Sequence, residues 1–109
     1  MSDDLFYRRL TQLRMAKGVS ARDMSLSLGQ GPGYINNIEN RKGLPSMTVF
    51  FYICEYLGVS PKEFFDDGNL YPTQMRELIE DLHALDEEQL TNIQFIVKGL
   101  KKQKLQNFS

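Results

Sequence analysis

The residues of this chain that could carry catalysis are few and poorly spaced for it. One cysteine, Cys54, cannot form an internal disulfide, and with the single histidine, His83, it supplies no cluster of metal ligands. Both read as packing or surface residues, and no metal or other cofactor is expected. The run "GQGPG" at residues 29 to 33 follows a helical segment and lacks the Lys-Ser/Thr that a phosphate-cradling loop requires. Paired acids, Asp66-Asp67 and Glu87-Glu88, fall in linker and helix-start contexts where solvation or capping accounts for them. The chain is therefore read as a non-enzyme.

The cations offer a different chemistry. Net charge is only −1, but it is unevenly spread. From Leu5 to Leu44, seven bases (Arg8, Arg9, Arg14, Lys17, Arg22, Arg41 and Lys42) stand against two acids, Asp23 and Glu39, a local balance of +5. From Pro45 to Leu100, three bases face ten acids, a balance of −7. A basic front and an acidic back would orient the molecule toward a polyanion. At 109 residues with 41% hydrophobic composition, the chain suits one compact domain with a short appendage. Its start, "MSDDLFYRR", has no long apolar run, which argues against a leader peptide and a membrane span, so a cytoplasmic protein is expected.

Patterning and punctuation predict helices throughout and no strand. In "DDLFYRRLTQLRMAKG", Phe6, Leu10 and Leu13 recur at helical spacing and Gly18 is placed as a stop. Ser20 opens a second helix of about two turns, with Asp23 three residues on in a capping-box-like start and Gly29 at its exit. A third helix is predicted over about 32–40, with Gly31 as N-cap, Pro32 at the first helical position, and Ile35 and Ile38 on its buried side. Ser46 caps a fourth helix from Met47 to Leu57, mostly apolar, which reads as the buried helix about which the others pack. Ser60-Pro61-Lys62-Glu63 is a capping box for a short fifth helix carrying Phe64 and Phe65.

Two short helices joined by a glycine-containing turn, braced by a buried helix, make a helix-turn-helix. The stretches "LTQLRMAKGVS", "MSLSLG", "YINNIEN", "LPS" and "YICEYLGVSPKEFF" resemble the lambda-repressor-like (Cro/CI, XRE-type) helix-turn-helix family over roughly residues 6 to 66. The resemblance implies an all-α fold, a five-helix DNA-binding domain that binds duplex DNA selectively, usually as a homodimer, in transcriptional control. It implies that the third helix enters the major groove, and that Arg14 of the first helix pairs with Glu39 at the end of the third.

Departures from the family pattern narrow where reading can occur. The glutamine that usually grips phosphate at the second helix is replaced by Ala21, leaving Ser20, Arg22 and backbone N–H groups for that task. The usual base readers are replaced by Pro32 and Gly33, neither of which can make a bidentate base contact; Gly33 could instead let the backbone approach the sugar-phosphate wall. Base contacts then fall to Asn37, which matches a family base-contact position, to Asn36, and to Tyr34 at the groove edge. Asn40, Arg41 and Lys42 can cover phosphates at the exit. Arg41 stands where relatives often carry glycine, and Gly43 is expected to take over that turn. Arg8, Arg9 and Lys17 read chiefly as a solvated face with phosphate contact as the alternative.

Composition changes after Asp67. The expected organisation is a DNA-binding domain over 1–66, a polar linker over 67–71 and a C-terminal two-helix hairpin over 72–105. Met75, Leu78, Ile79, Leu82 and Leu85 form one stripe. Asp86-Glu87-Glu88-Gln89 caps a last helix whose Leu90, Ile93, Val97 and Leu100 alternate steps of three and four. Such a hairpin cannot bury both stripes alone. A second copy is the simplest partner, making a homodimer through Leu78, Ile79, Leu82, Leu90, Ile93, Val97 and Leu100. Two alternatives stand beside it: the hairpin folds back on its own domain, or the chain is a protein-interaction module, antitoxin-like or a regulatory adaptor, whose acidic hairpin binds another protein.

Overall fold

The structure, a computed structural model, describes residues 4–107, so the first three residues of the expected 1–66 domain lie outside it. It is all-α: α1 (Asp4–Lys17), α2 (Ala21–Ser27), α3 (Tyr34–Glu39), α4 (Met47–Leu57), α5 (Pro61–Phe64), α6 (Pro72–Leu82) and α7 (Glu87–Asn107). The chain divides into two compact units, Met1–Gln74 and Met75–Ser109.

Local chemistry sets most helix ends in the first unit. Ser20, Ser46 and Ser60 each hold extended backbone and accept a hydrogen bond at Oγ from the N–H three residues on, in Asp23, Val49 and Glu63. At α5 the box is reciprocal, because Glu63 Oε1 also accepts from Ser60 N at 2.8 Å. Gly58 ends α4 in the left-handed region at φ 71°, a conformation only glycine takes without strain. The core gathers Leu10 and Leu13 from α1, Met24 from α2, Ile35 and Ile38 from α3, Ile53 and Cys54 from α4, and Phe64 from α5. Burial pushes the Cys54 thiol up to about 11, so it is a neutral packing group near pH 7.

The apolar fourth helix departs from the sequence reading. Of α4 only Ile53 and Cys54 are buried, while Met47, Phe51 and Tyr52 stay 68%, 53% and 52% exposed. Apolar residues encircle α4, but α1 and α5 cover one side of it. On that side Phe50 packs against Phe6, Phe64 and Phe65, with ring centroids 6.1, 5.2 and 5.7 Å away.

Arg9 departs further, since it neither faces solvent nor is free for phosphate. It is fully buried, and its Nε donates to Phe64 O. Nη2 donates to Glu63 O and Asn69 O, both at 3.0 Å, and Nη1 donates to Gln12 Oε1 at 3.1 Å. One turn of helix leaves its last carbonyls without donors. The guanidinium supplies them, closing α5 and the loop that follows. Burial draws its pKa down, and nearby Asp66 opposes that shift. Arg8 supports the same loop from outside through a 2.8 Å pair with Asp67.

In the second unit, Asp86 and Gln89 exchange the two bonds of a capping box at the start of α7. Met75, Leu78 and Ile79 of α6 are exposed and Leu82 is half-buried; Leu85 lies past the helix end in the turn. On α7, Leu90, Ile93, Val97 and Leu100 are exposed too, as are Phe95, Ile96 and Leu105, which the stripe did not include. No residue from 75 to 105 is buried.

Arg9→Ala would strand carbonyls inside the domain, and we expect a loss of roughly 2–4 kcal/mol in urea unfolding. Arg8→Ala, at a solvated pair, should change far less. Equal small effects from both would refute the capping role of Arg9.

Candidate nucleic-acid interface

The second and third helices are joined by hydrogen bonds that begin at a buried hydroxyl. Ser25 is fully buried, its Oγ donating to Ala21 O at 2.7 Å and accepting from Ile35 N at 2.9 Å. Between the helices Gly29 turns the chain at φ 74°, and Gln30 N returns to Ser25 O at 3.0 Å. Gly31-Pro32-Gly33-Tyr34 is then a β-turn closed by Tyr34 N donating to Gly31 O at 3.1 Å, with Pro32 at its second position.

This corrects the start of α3. A helix begun at Pro32 would send the Ile35 N–H to Gly31 O, but Ser25 takes that donor from outside. The helix therefore starts at Tyr34 with Gly33 as N-cap, at φ −96° and ψ 3°, and its first full bond runs from Asn37 N to Gly33 O at 2.9 Å.

At the other end Arg41 N donates to Ile38 O at 2.8 Å and Lys42 N to Asn37 O at 2.9 Å, the paired closure of a Schellman turn. Arg41 itself holds the left-handed position, at φ 62°, and Gly43 does not take it over. That conformation costs a side-chain-bearing residue on the order of 1–2 kcal/mol. The side chain is anchored at the same time, by Nη2 against Asp4 Oδ1 at 2.7 Å and by the guanidinium 5.0 Å from the Tyr7 ring centre.

Arg14 and Glu39 are brought together with little solvent access. Nε and Nη2 of Arg14 meet the two carboxylate oxygens of Glu39 at 2.7 and 3.2 Å, and Nη1 donates to Val19 O at 2.9 Å. The fork fixes the last turn of α3 to α1 and to the α1–α2 loop.

Five of the seven cations counted between Leu5 and Leu44 are thus used inside the fold. Arg8 holds Asp67, Arg9 the α5 carbonyls, Arg14 Glu39 and Arg41 Asp4. Lys17 donates to Tyr56 O at 2.9 Å and sits over its ring. Arg22 in the first turn of α2 and Lys42 just past α3 make no such contact, so of the seven they are the two with no partner to give up before meeting phosphate.

The remaining candidates divide by exposure. Asn36, Asn37 and Asn40 are exposed, as is Gly33. Tyr34 is half-buried against the core, which raises its pKa. Ser20 is exposed with its oxygen engaged as a cap, and Ala21 is half-buried beneath it. Sequence reasoning missed the hydroxyl of Ser25, although a small polar residue at a helix contact is itself a signal for such a bond, and it missed Asp4 as the partner of Arg41. Among the described residues, no group of three His, Cys, Asp or Glu side chains could hold a metal ion, and no helix is long and apolar enough to cross a membrane.

The helix-turn-helix family model matches residues 10–64, which span α1 from its middle through α5. No curated protein and no solved structure matches the chain.

Ser25→Ala removes the acceptor for Ile35 N–H without changing the packing volume much, and should lower stability by about 1–2 kcal/mol. Amide exchange at Ile35 should quicken more than at Leu10; unchanged protection of Ile35 would rule out the bond's importance.

Proposed function

The chain belongs to the lambda-repressor-like helix-turn-helix family, whose members are DNA-binding regulators, and from that premise we propose a sequence-specific duplex-DNA-binding repressor, non-enzymatic, acting as a homodimer in the cytoplasm. Its third helix lies in the major groove. The observation that carries this reading is the division of α3 into two sides. Ile35 and Ile38 are buried and Glu39 is tethered by Arg14, while Asn36, Asn37 and Asn40 face solvent. A helix held from behind with free amides outward suits base-edge contact.

On this reading Asn37 and Asn36 contact bases with Tyr34 at the groove edge. Ser20, Ala21, Gly33, Asn40 and Arg41 lie along the sugar-phosphate wall, and Arg22 and Lys42 bring the charge. Residues 1–66 hold the reading domain, 67–71 the linker and 72–105 the dimerising hairpin. Support for the dimer comes from the apolar residues of α6 and α7, which one chain leaves exposed or half-buried: Leu78, Ile79, Leu82, Leu90, Ile93, Val97 and Leu100. A second reading, a hairpin that receives another protein, draws support from Phe95, 81% exposed and outside that stripe.

Purified protein should shift a selected duplex unaided, with affinity falling steeply as salt rises. Arg22→Ala and Lys42→Ala should each weaken all duplexes alike and reduce the log–log salt slope by about one; altered sequence choice instead would contradict their phosphate role.

Solution mass should correspond to two chains, and Ile93→Glu with Val97→Glu should give one chain and lose cooperative binding to paired half-sites about 34–36 Å apart, or a multiple of that. A wild-type monomer that shifts DNA only after a partner protein is added would favour the second reading.

A further inference from the structure

Resting on the DNA-reading role of α3, we infer that Asn36, Asn37 and Asn40 form one uncharged amide stripe that reads adenine, so that the base pairs facing this helix are A·T.

At 100° per residue, Asn36 and Asn37 of α3 and its caps Gly33 and Asn40 fall within a sector of about 100°, opposite buried Ile35 and Ile38. Among the described residues the three side-chain amides have no hydrogen-bond partner, in contrast to Gln12, Asn69 and Gln89, which are engaged by Arg9, Asp66 and Asp86. The inference moves Asn40 from the sugar-phosphate wall into the outward sector of the two asparagines before it.

Gly33 adds a second observation. Its φ of −96° is open to any residue, and a Cβ built there would meet only Asn37 Nδ2, at 3.9 Å. Neither backbone geometry nor internal packing calls for glycine at this place. What its missing side chain leaves is clearance beside the Asn37 amide, so that the sugar-phosphate wall can come close to the helix start and the amide can reach past it to a base edge.

The chemistry of the stripe selects the base. A carboxamide offers one donor group and one acceptor side by side. Adenine presents a matching pair in the major groove, N6–H to donate and N7 to accept. Guanine presents two acceptors there, O6 and N7, which leave the amide oxygen facing a lone pair; cytosine and thymine engage one half of the amide. Arginine, the usual bidentate reader of guanine, does not occur at positions 33, 36, 37 or 40, and its nearest copies are paired elsewhere, Arg14 with Glu39 and Arg41 with Asp4. From Asn36 to Asn40 the helix advances about 6 Å, roughly two base-pair steps, so the stripe addresses two or three adjacent pairs in each half-site.

The test is selection of the full-length protein on a random duplex library, followed by binding to the chosen duplex with single adenines replaced by 7-deazaadenine. The result expected is a short A·T run in each half-site, and a loss on the order of tenfold for an N7-deleted adenine facing α3. Asn36→Ala, Asn37→Ala and Asn40→Ala, checked for unchanged thermal unfolding, should each relax choice at one A·T pair. A required G·C pair whose requirement disappears in one of these variants overturns the adenine assignment while leaving DNA binding intact. An unchanged consensus with uniformly weaker binding in the Asn40 variant overturns that residue's place in the stripe. No enrichment of any sequence overturns the inference and the DNA-reading role together.

Discussion

A six-residue helix cannot hold itself in water, and α3 exists because groups outside it close both its ends. Ser25 accepts the Ile35 N–H at the start, and Arg14 grips Glu39 at the finish. Ile35 and Ile38 press the middle into the core. With both ends and one side fixed by tertiary contacts, the exposed sector needs no helix-forming residues of its own. Three asparagines, weak helix formers all, can occupy it.

The same economy governs the buried polar groups. Arg9 and Ser25 are the buried polar residues among those described, and no buried side-chain nitrogen or oxygen there lacks a partner. Each serves backbone that regular structure leaves unsatisfied, Arg9 the carbonyls after a one-turn helix and Ser25 the Ile35 N–H in the first turn of α3. Charge that composition suggests is available to a ligand is thereby diverted into the fold. The front of the domain remains basic in sum, but the part of that charge able to move onto phosphate is concentrated in Arg22 and Lys42, on either side of α3 in sequence.

What was legible in the sequence followed range. Caps are decided within four residues, and Ser20, Ser46 and Ser60 could be read directly; so could the glycine exits and the apolar positions of α1 to α3. The start of α3 was misplaced by two residues because proline at a first helical position is a local rule, overruled by a hydroxyl ten residues away. Arg9 was misread because nothing near it in sequence reveals carbonyls 54 to 60 residues downstream. The burial of α4 was overstated since composition counts apolar residues without knowing how many sides have neighbours. Arg41 shows the converse: a glycine was sought for a left-handed turn, yet contacts to Asp4 and Tyr7 accompany an arginine there.

Short reach gives the hairpin an energetic role under the proposed reading. Two or three amide contacts, each worth about 1–3 kcal/mol of discrimination, give one half-site about 2–9 kcal/mol, a range that begins below the 4–10 kcal/mol separating specific from non-specific binding. With Arg22 and Lys42 the unpaired cations at the front, the salt-dependent part of binding also grows when two half-sites are held together. Joining two domains makes the second contact intramolecular, raising affinity without any new base contact. The exposed apolar residues of α6 and α7 would then serve to supply what a six-residue reading helix lacks, and their solvation in a single chain is the counterpart of that helix's brevity.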